Sequence, residues 1–129
     1  MPIACIALRE VNVGHVAGLT MDAFAARFPE DYERWQDRAD IEFTWPGGEK
    51  RQDFFLRASQ AVDYIVSVHP NSKVAVVCHG GVIRGMLAHY LPRDYGEWWT
   101  YPLHTGSLSR LLITPNGGKL LTLNEYCLV

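Results

Sequence analysis

Val74-Ala75-Val76-Val77-Cys78-His79-Gly80-Gly81-Val82-Ile83-Arg84 is the stretch whose reading decides the fold. A β-branched run stops at a histidine and two glycines, then passes directly into apolar residues at helical spacing. The pattern predicts a buried strand over 73–78 and a helix over 82–90 that ends before Pro92. In an α/β domain this order puts an imidazole at the carboxyl end of a strand, beside the free N–H groups of a helix N-terminus. Such a corner attracts anions, phosphate above all. The glycines let backbone approach a ligand where a Cβ would obstruct it. Arg84 either adds charge to the corner or reaches solvent, and a strand-end histidine is also a common structural group.

His79-Gly80-Gly81 also resembles the oxyanion loop of serine esterases, a reading that needs a G-x-S-x-G nucleophile elbow. Ser59, Ser67, Ser72, Ser107 and Ser109 all lack the flanking glycines, so the esterase reading fails. With 129 residues the chain has material for one domain and not for two. Its net charge of −2 argues against a broad nucleic-acid surface, so an anion site has to come from local placement of Arg, His and helix ends. Cys5, Cys78 and Cys127 form no C-x-x-C pair. They point to reduced thiols in a cytoplasmic protein, with neither a metal site nor a disulfide framework. The apolar opening from Met1 to Leu8 is too short to span a membrane and lacks the basic start of a signal peptide.

Outward from the corner, the longest helix is predicted over 49–68, where Phe54, Ala58, Ala61, Val62 and Ile65 recur at helical spacing. Thr20 is the expected N-cap of a helix over 21–28 that Pro29 ends, and a second short helix is predicted over 31–38. Trp98, Trp99 and Tyr101 are expected to cap the sheet ends. Two strands, 108–114 and 119–124, flank Pro115-Asn116-Gly117-Gly118 as a hairpin. One buried parallel strand beside a hairpin is too little for an open sheet covered on both faces. The fold expected is therefore α/β: an incomplete three-layer sandwich, its mostly parallel sheet flanked by helices and carrying the hairpin at its edge.

Four segments together resemble the histidine phosphatase superfamily, the phosphoglycerate-mutase-like phosphatases and mutases. Leu8-Arg9-Glu10-Val11-Asn12-Val13-Gly14-His15-Val16-Ala17-Gly18-Leu19-Thr20 is similar to its Leu-x-Glu-x-x-x-Gly-x-x-x-Gly block. Pro46-Gly47-Gly48-Glu49, followed by Asp53 and Arg57, resembles its Gly-Gly-Glu-Ser helix start. Val76 to Arg84 matches its second-histidine block, and Leu103-His104-Thr105-Gly106-Ser107-Leu108 resembles the start of its final strand. The departures are Val16-Ala17 where Trp-Glu is usual, Lys50 where Ser is usual, and Thr105 where Asn is frequent. The family's opening Arg-His-Gly, whose histidine becomes phosphorylated, occurs nowhere in the chain. The resemblance thus implies a single, truncated domain over 1–129.

What the resemblance implies chemically is metal-independent hydrolysis or transfer of a phosphomonoester through a phosphohistidine, without a cofactor. His79 becomes a cationic donor to a phosphate oxygen. Glu10 becomes general acid for the leaving oxygen and then base for water. Arg9, Gly80 and Thr105 are the further candidates for phosphate or substrate contact. Read without the family, Glu10 is a solvated loop carboxylate and Arg9 a surface charge. The partner expected is a small phosphorylated metabolite, with no nucleic acid and no membrane, and the enzyme's nucleophile is missing from the chain as given. The alternative is a non-catalytic relative that binds a phosphorylated ligand or a protein. An unpaired edge beside the strand at 73–78 also predicts a homo-oligomer.

Overall fold

A computed structural model describes residues 1–92 and 95–126, with four helices preceding a two-stranded hairpin. Helix α1 (Met21–Arg27) is capped by Thr20, whose Oγ1 accepts the Ala23 N–H at 3.1 Å. Phe28 leaves helical geometry and Pro29 opens α2 (Pro29–Gln36), two residues ahead of the predicted start. The proline both stops one helix and begins the next, because its fixed φ and missing N–H suit the first helical position. Helix α3 (Arg51–Val68) begins two residues late, since Thr44 and Lys50 bridge across the intervening turn. Helix α4 (Gly80–Tyr90) starts on the glycines themselves, with His79 as its N-cap residue.

Two apolar clusters hold these elements. The larger centres on Leu8, Phe54, Phe55, Ala58, Val62 and Val82, so α3 and α4 pack face to face with the first loop over them. The smaller is aromatic: Phe24 and Phe43 are fully buried, and the Phe24 ring lies 5.4 Å from Tyr32, 5.9 Å from Trp35 and 5.7 Å from Trp45. Residues 12–16 join the clusters by lying across the Pro46-Gly47-Gly48 turn. There the His15 N–H bonds the Pro46 carbonyl and the Glu49 N–H the Asn12 carbonyl, both at 2.8 Å.

Strands β1 (Leu108–Thr114) and β2 (Gly117–Glu125) pair antiparallel around a two-residue turn, with register shifts on either side of Arg110. The turn is tighter than the sequence suggests, because Gly117 and Gly118 belong to the ladder opposite Thr114 and Ile113. This hairpin is the sole sheet among the described residues, and the expected mostly parallel sheet is not seen. Residues 72–79 belong to no helix and no strand ladder. Val76 and Cys78 pack on the larger cluster, yet Val74 is 48% and Val77 98% exposed. Burial of this segment on both faces, as predicted, needs flanking strands and a second helical layer that the described residues do not supply. The aromatic segment is corrected too. Tyr95–Thr100 forms a 3-10 turn, from which Trp98 packs edge-on to Phe55 at 5.2 Å while Trp99 is exposed.

Candidate functional site

Glu10 lies in a loop that belongs to neither helix nor sheet, so its backbone finds partners elsewhere. Arg57, on the second turn of α3, supplies them. Its guanidinium donates to the carbonyls of Ala7 (2.7 Å), Arg9 (2.9 Å) and Glu10 (3.2 Å). It also grips both carboxylate oxygens of Glu49, at 2.7 and 3.0 Å. Burial would by itself raise the Glu49 carboxyl, but hydrogen bonds from Arg57 and Asn12 outweigh it and hold the group below its ordinary range.

Held this way, the Glu10 side chain reaches the N-terminus of α4. Its Oε2 accepts the Gly81 N–H at 3.0 Å, and its Oε1 accepts the Val11 N–H at 2.9 Å. His79 offers no side-chain cap to the helix. A carboxylate from 71 residues earlier therefore occupies the place of an N-cap side chain, where the helix dipole favours negative charge. A Cβ at Gly81 would meet Oε1 at 2.5 Å, so any larger residue there has to push the carboxylate aside. The negative charge is felt next door: burial first, and then Glu10, push the Cys78 thiol pKa up.

Beside this corner opens a cavity of about 160 Å³. Glu10 and Gly81 form one wall, Trp35, Trp45, Phe54, Phe55 and Trp98 form apolar walls, and the cations Arg38, Arg51 and Arg84 reach it from the turn past α2, from α3 and from α4. Arg84 is oriented by donating Nε–H to the Tyr101 carbonyl at 3.0 Å. Arg38 stacks on Trp35 with its guanidinium carbon 3.7 Å from the ring centre. Burial first, and then the charge of Arg84, lowers the Arg38 pKa. Arg51 is buried and spent structurally, donating to the carbonyls of Asp37 (2.9 Å), Arg38 (3.3 Å) and Asp40 (2.6 Å) just past α2.

The candidates read from sequence distribute as follows. Glu10 reaches the start of α4 through the Gly81 amide, His79 stands there as the exposed N-cap residue and Gly80 as the helix's first residue, and neither of these two is part of the cavity wall. Arg9 is exposed and bonds the Ile6 carbonyl at 3.2 Å. Thr105 lies exposed in the turn before β1 and is not part of the cavity wall. Arg38, in the turn just past α2, was not anticipated, though Trp35 three residues earlier hinted at a stacked cation. The other histidines are occupied elsewhere: His15 lies against Gly47, His69 ends α3, His89 faces Asp63 at 3.2 Å, and His104 faces Tyr126 at 2.8 Å. Cys127, one of the three expected thiols, lies outside the described residues.

Comparison with known proteins places this geometry. Residues 2–126 match the model of the histidine phosphatase superfamily (branch 1). Phosphoserine phosphatase 1 of Hydrogenobacter thermophilus is 26% identical over 119 residues, which is 92% of this chain and 56% of that protein. Human 6-phosphofructo-2-kinase/fructose-2,6-bisphosphatase 3 is 32% identical over 102 residues, 77% of this chain and 19% of that protein. A solved chain from Escherichia coli K-12 superposes with a TM-score of 0.82 at 20% identity, covering 94% of this chain and 59% of that one. The chain thus spans between about a fifth and three fifths of the length of these relatives.

Proposed function

The chain belongs to the histidine phosphatase superfamily, and we propose from its geometry that it carries the acid and anion-binding half of a metal-independent phosphomonoester site. The observation that carries this reading is the Glu10 carboxylate on the Gly81 amide, two residues past His79. His79, as imidazolium, donates to an equatorial phosphate oxygen, and the N–H groups at the start of α4 add fixed dipoles. As the ester P–O bond breaks and phosphorus bonds to an attacking imidazole, the leaving oxygen takes the Glu10 proton. Glu10 then accepts a proton from water as water displaces the imidazole. None of the histidines described above occupies the attacking position, and the chain has no Arg-His-Gly. Turnover of a phosphomonoester by this chain alone is therefore not part of the reading.

The cavity supports the substrate class. Its cationic rim at Arg38 and Arg84 over aromatic walls suits a small phosphorylated metabolite with a second anionic group. In the same reading the open backbone edges of residues 72–79 pair with a second copy of the chain.

The test is binding and turnover measured on one preparation. Inorganic phosphate or vanadate is expected to shift the amide resonances of residues 79–81, an effect lost in His79→Ala. Hydrolysis of p-nitrophenyl phosphate at mildly acidic pH is expected to be absent. Robust hydrolysis abolished by His79→Ala overturns the division of roles, because another residue then acts as nucleophile. Phosphate that leaves residues 79–81 unmoved overturns the site itself.

A further inference from the structure

We propose that Arg57 is the positioning residue that aims Glu10 at the α4 corner, with Glu49 as its anchor; the inference rests on the reading of Glu10 as the acid. A guanidinium has five N–H donors in a rigid plane, and here all five are engaged, three by carbonyls of the Glu10 loop and two by Glu49. The pair is nearly closed to solvent, its side chains 17% and 13% exposed. Glu49 then ties down the far side of the loop. Its Oε2 accepts the Asn12 N–H at 3.2 Å, while its own N–H bonds the Asn12 carbonyl at 2.8 Å. Glu10 thus stands between two fixed points, residues 7–10 on the guanidinium and residue 12 on the carboxylate.

The bonds that Arg57 makes to residues 7, 9 and 10 span 50, 48 and 47 positions of sequence, so no local preference can replace them. A lysine at 57 keeps the charge but offers three tetrahedral donors. It cannot serve two carboxylate oxygens and three carbonyls at once. Loss of the fork frees the loop, and a general acid displaced by a fraction of an ångström loses its alignment with the leaving oxygen.

The Gly81 amide reads this alignment directly, since its proton resonance follows the charge of the carboxylate it bonds. In the ¹⁵N-labelled protein the Gly81 signal is expected to move on acidification, and Glu10→Gln to abolish the movement. Arg57→Lys is expected to remove most of it while the amides of α1 and the hairpin keep their positions. Arg51→Lys is the control, a buried arginine that likewise gathers carbonyls but past α2, and it is expected to leave the Gly81 movement intact. An unchanged Gly81 movement in Arg57→Lys overturns the proposal, as does equal loss in Arg51→Lys, which would mean general loosening. Should Arg57→Lys fail to fold, Glu49→Gln carries the test, with an intermediate loss expected and none overturning it. Inorganic phosphate added to the wild-type protein separates the two readings. If residues 79–81 ignore phosphate while Arg57→Lys still silences Gly81, the site reading fails and the positioning of Glu10 stands.

Discussion

Glu49 keeps its negative charge because Arg57 and the Asn12 amide hold it, and the consequence is a pH-dependent contribution to stability. Its pKa is lowered on folding from an ordinary 4.5. The folded state therefore binds the proton less readily than the unfolded chain. The contribution is fully present above pH 4.5 and fades as the pH falls from there toward the folded value. Urea unfolding followed from neutral pH into the acid range is expected to give a steeper acid loss for wild type than for Glu49→Gln, which starts lower and lacks this component. Equal slopes would show that the pair contributes nothing through ionisation. Glu10 and His79 were legible in the sequence because each stands in a short block with fixed neighbours. Arg57 was legible only as part of a motif, and Arg38 not at all. The carbonyls that Arg57 binds lie some fifty positions away, and Arg84, which shares the cavity with Arg38, lies on a distant helix, so no window of sequence contains either relation.

Among the elements, the junction of residues 12–16 with the Pro46-Gly47-Gly48 turn decides where the Glu10 loop begins its path. Gly14 has φ +55°, and a Cβ there would overlap the Pro46 carbonyl and the backbone of Gly47 and Gly48. Gly18 has φ +80° but open space around it. Alanine at Gly18 is expected to cost only the left-handed strain, roughly 1–2 kcal/mol. Alanine at Gly14 adds an overlap with backbone that cannot yield and is expected to cost clearly more, as read from denaturant midpoints. Similar losses at the two positions would mean that the junction relaxes freely. Periodicity and capping located α1, α3, α4 and the hairpin from sequence alone, because their signals are local: Thr20, the apolar stripe of α3, and the turn at Pro115-Asn116. The start of α2 was misplaced because one proline serves two helices.

At the scale of the whole molecule, residues 72–79 have the sequence of a central strand and, at Val74 and Val77, the exposure of an edge, and they lie outside any ladder. Unpaired backbone beside an exposed Val74 and Val77 invites pairing with another chain. Sedimentation is expected to show concentration-dependent association at micromolar protein, weakened by Val77→Lys, whereas a compact, well-folded monomer across that range would count against it. The sequence by itself determined the helical scaffold, the hairpin, the family, and the glycine corner after His79 at which the last helix begins. All of these rest on spacings of a few residues, which local backbone geometry enforces. Only the tertiary structure decided that Glu10 reaches the Gly81 amide, that Arg57 and Glu49 hold it there, that Arg38 and Arg84 share one cavity, and that residues 72–79 lie outside a sheet. Those facts depend on which distant segments meet, and meeting is settled by the packing of the two apolar clusters and by the partners available to each strand edge, neither of which is written in any single stretch of the chain.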